Sequence, residues 1–333
     1  MSPPLIATAE DLALWVRHPA TQPPLSALDD GVCLLVDASD APAHDLQAPI
    51  RRLLRSLPCP VIALGSADTM LARACDTCVD NLAAAAPLLA NIERSPRAAA
   101  VLVQLLRISE GMHLDDALVA ESLAYATLQG GAEFRRWLAL GEGGPAPAIT
   151  DEGDAVLIER DGDSLQLRLN RASNRNGMSV EMRDALCEAL RLVLGDETVR
   201  TVHLSALGKC FSTGGDLSEF GTAPDTATAH LVRSIALPGR LLARCAARVT
   251  VTVHGACIGS GIEFPAFAGT VEARPGAWFQ LPELKYGLIP GAGGCVSIAR
   301  RIGRQRTAWM VLSGEVVKAR TALSWGLVDR MLS

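Results

Sequence analysis

Apolar positions in the second half of the chain switch between a period of two and a period near four. Ala155 to Glu159 and the alternating Leu165, Leu167 and Leu169 predict two strands joined through Asp161-Gly162. Ser179 suits the N-cap of a helix reaching about Leu194, with Met182, Leu186 and Leu190 at spacing four. Val202, Leu204 and Ala206 alternate as a strand that runs into Lys209-Cys-Phe-Ser-Thr-Gly-Gly-Asp216. A helix holding Leu231, Ile235 and Leu242 follows, with Pro238 expected to bend it. Val249, Val251 and Val253 form the next strand, ending in His254-Gly255. Strands alternating with helices predict an α/β fold with much parallel pairing.

The first part of the chain reads differently. Val32 to Val36 and Pro60 to Leu64 are strand-like, with a short helix from Ile50 to Leu57 expected to start at Pro49. From Leu82 to Leu138 nearly everything is helical, with Pro96 at a helix start and Val101, Leu105, Leu118, Leu123 and Leu128 on apolar faces. Between the halves, Gly141-Glu-Gly-Gly-Pro-Ala-Pro-Ala-Ile-Thr-Asp151 is small, Gly- and Pro-rich and nearly uncharged, the composition of a linker. Leu53 to Ala63 parallels Leu241 to Val251, a helix end feeding a strand in each. Two generic αβ units and a duplication both fit that echo.

Composition narrows the class. A chain of 333 residues, 49% hydrophobic and 20% charged, fits two domains that each bury a core. A net charge of −5 argues against a nucleic-acid surface, which needs clustered Lys and Arg. The longest apolar run, Leu82 to Ala90, is about half a bilayer span. Met1 to Ala20 lacks a basic start and an apolar stretch, so a cytoplasmic protein is expected, without membrane contact. The nine cysteines are scattered singly, and Cys75 and Cys78 have no second pair or histidines beside them. Buried reduced thiols and no metal site are expected.

Three segments carry candidate chemistry. Phe211-Ser-Thr-Gly-Gly-Asp216 and Val253-His-Gly-Ala-Cys-Ile-Gly-Ser-Gly-Ile-Glu-Phe264 each follow a strand, and a third runs from Phe279 to Gly294. Glycines after strands let a backbone approach a ligand and present N–H groups, and two such turns can aim two donors at one carbonyl oxygen. Glu263 falls in the first turn of a helix expected to end at Gly269, where the helix dipole favours a carboxylate on structural grounds alone. Glu283 follows Pro282 in a largely apolar loop, which a solvated surface charge does not explain. Gly259 to Gly261 is not a dinucleotide fingerprint, and Gly291 to Gly294 lacks the Lys-Ser/Thr of a phosphate loop. His254, alone at a strand end, reads as packing rather than catalysis.

In this order and spacing the segments resemble the enoyl-CoA hydratase/isomerase (crotonase) superfamily, over about Ala155 to Leu332. Val253 to Glu263 and Phe279 to Gly294 are similar to the family's two motif runs. Leu312-Ser-Gly314 and Ala322 to Val328 resemble its later signature, and Asn170-Arg171 with Asn176-Gly177 its early loop. The resemblance implies a crotonase-like ββα spiral core in the second half. It implies an oxyanion hole from the backbone N–H groups of Gly215 and Ser260 around an acyl-CoA thioester carbonyl, where the family often has glycine in place of Ser260. Glu263 and Glu283 match the two carboxylates of the family's hydratases, one handling the water at C3 and the other the proton at C2. Gly214, Asp216, Gly259 and Arg175 are candidate substrate-binding residues, Arg175 for a CoA phosphate.

The ends depart from the family. Members usually continue past the Gly-Leu-Val of Gly326 to Val328 into helices that cover the site and build a trimer, whereas Ser333 follows five residues later. Ser95 to Trp137 looks like that helical segment placed upstream. The expected organisation is a small α/β region at 1–80, possessing no catalytic glycines or glutamates, as in a degenerate crotonase half. Helices at 81–140, a linker at 141–152 and a catalytic core at 153–333 complete it. Helices between about Pro96 and Leu138 should then touch the pocket of Gly215, Glu263 and Glu283, in the same chain or a neighbour; the alternative is an unrelated helical dimerisation domain. Expected function is an enoyl-CoA hydratase without cofactor or metal, in a homo-oligomer, trimer or hexamer. The alternatives are a Δ3,Δ2-enoyl-CoA isomerase, a CoA-thioester hydrolase and a non-enzymatic acyl-CoA-binding partner of another crotonase. Trp278 and Phe264 are candidates to narrow the acyl pocket.

Overall fold

The computed structural model describes residues 4–28 and 31–333. Its first unit alternates strands and helices: β1 (Ile6–Ala7), α1 (Ala9–Arg17), β2 (Leu34–Asp37), α2 (His44–Ser56), β3 (Val61–Leu64), α3 (Met70–Ala74) and β4 (Thr77–Val79). The four strands pair in chain order, all parallel. Leu34, Leu35 and Val36, like Val61, Ile62 and Ala63, are buried throughout, as a sheet covered on both faces requires. α2 begins six residues before the expected Ile50, with Pro49 inside it. Its buried stripe of Leu46, Ile50 and Leu54 starts upstream of the proline, and the ring removes only one hydrogen bond from an otherwise favourable face.

Four helices follow: α4 (Leu82–Arg94), α5 (Pro96–Ser109), α6 (Leu114–Gln129) and α7 (Ala132–Ala139). Pro96 occupies the first turn of α5, where its missing N–H costs nothing. Residues 145–150 then form neither helix nor strand.

The second half opens with β5 (Val156–Asp161) and β6 (Ser164–Leu169), an antiparallel hairpin turned at Gly162-Asp163, where Gly162 takes φ 60°. It continues through α8 (Val180–Gly195), β7 (Thr201–Ala206), α9 (Thr226–Ile235), α10 (Pro238–Cys245) and β8 (Val249–Val253). Then come β9 (Ala256–Ile258), α11 (Ser260–Glu263), β10 (Thr270–Ala273), β11 (Trp278–Gln280), α12 (Gly294–Ile302), α13 (Arg304–Ser313), β12 (Val317–Lys318), α14 (Ala319–Trp325) and β13 (Arg330–Met331). One six-stranded sheet runs β13-β10-β8-β7-β6-β5, and a three-stranded sheet β12-β11-β9 stands beside it. Ser179 caps α8 by accepting from the Met182 N–H at 3.2 Å.

Two helices replace the single bent one expected around Pro238. Leu237 is extended (φ −116°, ψ 105°), the conformation a following proline imposes, and Pro238 starts α10. Leu242 is buried, but Leu231 and Ile235 of α9 are exposed, so the spacing joined residues that face different surroundings. The helix expected to run to Gly269 stops at Glu263, because Pro265 converts the continuation into a 3₁₀ turn.

The helices α4 to α7 pack onto the second half and share its core: Leu102, Leu106 and Leu118 belong to the same apolar cluster as Leu167, Val251 and Ile298. A buried ion cluster adds to this junction. Asp76 accepts from Arg107 Nε at 2.8 Å and Arg304 Nη1 at 3.1 Å, and also from the Val61 N–H at 2.9 Å. Removing one member would leave an uncompensated buried charge. All nine cysteines are free thiols, eight of them buried and Cys78 half-buried. Among the described residues no helix is long and apolar enough to cross a membrane.

Candidate active site

Two glycine turns meet because their backbones are stitched to one strand. Ser212 donates its N–H to Ala256 O at 3.2 Å and accepts from the Ile258 N–H at 3.1 Å, which lays the segment after β7 alongside β9. On its other side Met178 N–H donates to Gly214 O at 2.8 Å, and Asp216 N–H to Met178 O at 3.2 Å. Side chains are excluded where the turns touch. Gly214 has φ 92°, and a Cβ there would lie 2.9 Å from Ile258 O. Between these anchors the Gly215 N–H has no acceptor among the described residues. The Ser260 N–H, first in α11, has none either.

A cavity of about 430 Å³ opens at this junction, lined by Gly214, Gly215, Asp216, Gly259, Ser260, Glu263 and Glu283 among others. Gly259 is its hinge, with φ 50° and ψ −123°. A Cβ at Gly259 would sit 2.9 Å from Glu283 Oε1 and 3.8 Å from both Glu263 Oε1 and the Gly214 Cα. Both carboxylates and the first glycine turn therefore converge on one missing side chain. The Ser260 hydroxyl and Glu283 Oε2 are buried and have no hydrogen-bond partner among the described residues.

The two glutamates differ in their surroundings. Glu263 Oε2 accepts from the N–H groups of Ala292 at 2.7 Å and Gly294 at 3.0 Å, and the Ser297 hydroxyl donates to the Glu263 carbonyl at 2.6 Å. Burial pushes the Glu263 carboxyl up to about 7, and its backbone donors restrain the rise. Glu283 is raised well above the ordinary range by burial first and by the neighbouring Glu263 second. Glu263, the better donated of the two, is therefore raised less than Glu283.

A third carboxylate comes from the first half of the chain. Glu121 of α6, 1% exposed, accepts from Gly293 N–H at 2.7 Å and Cys295 N–H at 2.9 Å. Four consecutive N–H groups, at Ala292 to Cys295, thus donate alternately to Glu263 and Glu121 at the start of α12, where the helix dipole favours anions. α6 also brings Tyr125 and Gln129 to the cavity wall of its own chain, and α9 brings Arg233. The Tyr125 ring packs so closely on Gly291 that a Cβ there would lie 2.3 Å from Tyr125 Cδ2.

Other candidates fall elsewhere. Arg175 is exposed and does not line the cavity; it sits at a left-handed position (φ 51°) and its carbonyl accepts from Thr213 N–H. Arg183 lines the cavity instead. Asp216 lines it, but its carboxylate accepts from the Ser218 N–H and hydroxyl and from Asn174 Nδ2 at 3.0 Å. His254 pairs its Nε2 with Gly208 O at 3.1 Å, outside the lining. Phe264 packs on Phe211 at 5.9 Å between centroids, and neither it nor Trp278 reaches the cavity. Among the described residues no three His, Cys, Asp or Glu side chains form a group suited to a metal ion.

Glu121, Tyr125, Gln129 and Arg233 were not marked by sequence reasoning. One signal was present: Glu121 shares the buried stripe of α6 with Ala117, Leu118 and Ser122, a charge on a face otherwise apolar or small.

The sequence pattern of the enoyl-CoA hydratase/isomerase family matches residues 160–333. The chain is 31% identical to the 2,3-dehydroadipyl-CoA hydratase of Escherichia coli K12 over 177 residues, covering 52% of this chain and 68% of that protein. It is 30% identical to a trans-2-decenoyl-[acyl-carrier-protein] isomerase of Streptococcus mutans, with 53% and 68% covered. Among solved structures, an enoyl-CoA hydratase of Mycobacterium smegmatis superposes with a TM-score of 0.50 at 32% identity, covering 54% of this chain and 71% of that one. The chain belongs to the enoyl-CoA hydratase/isomerase family of enzymes, and its crotonase-like part is the second half.

Proposed function

We propose that the protein hydrates the 2,3 double bond of an acyl-CoA thioester, with Glu263 and Glu283 as the reacting carboxylates. The observation that carries this reading is the convergence of two buried glutamates of unlike environment on Gly259. Beside them lie two backbone N–H groups, of Gly215 and Ser260, without acceptors among the described residues.

The thioester oxygen accepts from the Gly215 and Ser260 N–H groups, which draws electron density from C3 and stabilises the enolate that forms. Glu263, ionised by its backbone donors, takes a proton from water as the oxygen attacks C3. Glu283, held neutral by burial and by its neighbour, delivers its proton to C2. The chain ends with Glu263 protonated and Glu283 ionised, and a proton passing between them restores the start. The thioester supplies the activation, so the reading needs no metal or redox cofactor. Gly214 and Gly259 admit the substrate by lacking side chains, and Asp216 holds the first turn through Ser218 and Asn174.

The test gives purified protein a short and a medium 2-enoyl-CoA, following conjugated-thioester absorbance and free thiol together. Absorbance loss without thiol is the expected result. Thiol release would make the enzyme a thioester hydrolase, and turnover of a 3-enoyl-CoA alone would make it an isomerase.

A further inference from the structure

The cavity wall formed by α6 and α9 carries a guanidinium, Arg233, that hydrogen-bonds to no carboxylate among the described residues. Arg233 lines the cavity with Tyr125 and Gln129. Its Nε donates to Ser122 Oγ at 3.1 Å, Nη1 to Gln129 Oε1 at 3.1 Å and Nη2 to Ser122 O at 3.3 Å. Its Cζ lies 4.6 Å above the Tyr125 ring centroid. Every one of these partners is neutral. Glu121, one position before Ser122, has both oxygens engaged by Gly293 and Cys295, and burial pushes it towards its neutral form.

The wall offers donors. A guanidinium has five N–H groups, and the three bonds above leave two of Arg233 without an acceptor among the described residues. Because a guanidinium only donates, Gln129 must turn its oxygen to Arg233, which leaves its NH₂ group for the cavity. The Tyr125 hydroxyl makes no hydrogen bond to a described residue and adds a further donor. A partly desolvated cation whose hydrogen-bond and π partners are all neutral, beside further donors, is complementary to an anion.

The position of this wall says which anion. The Tyr125 ring has Arg233 over its face and Gly291 packed on its Cδ2–Cε2 side, and the next residue, Ala292, donates to Glu263. One aromatic side chain therefore separates the guanidinium from the loop that holds the reacting carboxylate. We propose that Arg233, with Gln129 and Tyr125, receives a carboxylate at the far end of a short acyl chain, so that the enzyme prefers CoA monothioesters of dicarboxylic acids. This rests on the reading of the cavity as an acyl-CoA site.

The experiment compares kcat/KM of the full-length protein on a 2-enoyl-CoA ending in a carboxylate and on its neutral analogue of equal chain length. The native protein is expected to favour the carboxylate. Arg233→Gln should lower that preference about 10- to 100-fold, the range for losing a charge-assisted hydrogen bond, with partial recovery in Arg233→Lys. Gln129→Leu should lower it by a smaller factor, and decides the matter if Arg233→Gln does not fold. A native preference for the neutral substrate, or equal losses on both substrates, would overturn the proposal. CoA alone is the second arm: about tenfold weaker calorimetric binding by Arg233→Gln would assign the guanidinium to the nucleotide phosphates and likewise overturn it. If neither enoyl-CoA is turned over, the hydratase reading fails by itself. Binding of the two saturated acyl-CoA analogues then carries the comparison, with a carboxylate preference lost in Arg233→Gln as the supporting result and equal affinities as the contrary one.

Discussion

Glu121 and Gly293 lie 172 positions apart in the chain and share a hydrogen bond of 2.7 Å. Through it, and through the Cys295 N–H, a helix from the first half clamps the start of α12 at the two N–H groups that alternate with those held by Glu263. The loop from Gly291 to Cys295 is thus fixed by two carboxylates that belong to different parts of the sequence.

Glu121→Ala removes that clamp and leaves the Gly293 and Cys295 N–H groups buried without acceptors. The expected loss of stability is about 1–3 kcal/mol for each group left unpaired. Activity should fall as well, by up to ~10²-fold, because the amides that position Glu263 are free to shift. Urea unfolding and steady-state rates on the same preparations check both. Unchanged stability would show that the clamp is incidental.

Gly259→Ala meets two obstacles. The residue holds φ 50° with ψ −123°, and the added methyl would press on Glu283 Oε1 from 2.9 Å. Strain of about 1–3 kcal/mol and a displaced acid are expected, with a lower melting temperature and a larger drop in kcat than in substrate affinity. Gly276→Ala is a suitable companion, since its positive φ is similarly strained but nothing lies within 4 Å of the added atom.

Stability should decline between mildly acidic and alkaline pH. A carboxyl whose folded pKa is raised binds its proton more tightly in the native state than unfolded. Its contribution is therefore complete below the ordinary value of 4.5, and disappears as pH climbs through the raised value, about 7 for Glu263 and higher for Glu121 and Glu283. For Glu263 alone the difference is on the order of 3 kcal/mol. Unfolding free energies at pH 5.5 and pH 8 (~2.5 units apart) should differ in that direction, and the difference should shrink in Glu283→Gln. A protein more stable at pH 8 would contradict the assignment.

The same pair sets the pH dependence of turnover. With Glu263 acting ionised and Glu283 acting neutral, kcat/KM should rise through about 7 and fall again at a higher pH, where the pair loses its second proton. A profile flat from pH 5 to 9 (~4 units) would mean that these carboxyls do not titrate in the reaction.

Much of this was legible in the sequence because local rules and packing agreed there. The alternation of Leu165, Leu167 and Leu169 survives as a strand buried on every second residue, and the Ser179 cap is in place. The glycine turns announced themselves because no other residue fits between Gly214 and Ile258 O. The echo of Leu53–Ala63 in Leu241–Val251 falls on matching connections, α2 into β3 and α10 into β8. What escaped was set at long range. β9, β10 and β11 are three or four residues long, too short to show a period. Leu231 and Ile235 looked like a core face, but the helix that carries them turns Arg233 and Val232 to the cavity. Glu121 gains its meaning only from amides 172 and 174 positions away.

The most direct measurement of the central claim is the hydration rate of a 2-enoyl-CoA by Glu263→Gln and Glu283→Gln, with acyl-CoA binding measured on the same samples. Both amides keep the shape of the side chain and remove its proton transfer. The account predicts that each lowers kcat by ~10²–10⁴-fold while binding stays within a few-fold of the native protein. Hydration at the native rate by either variant would contradict it.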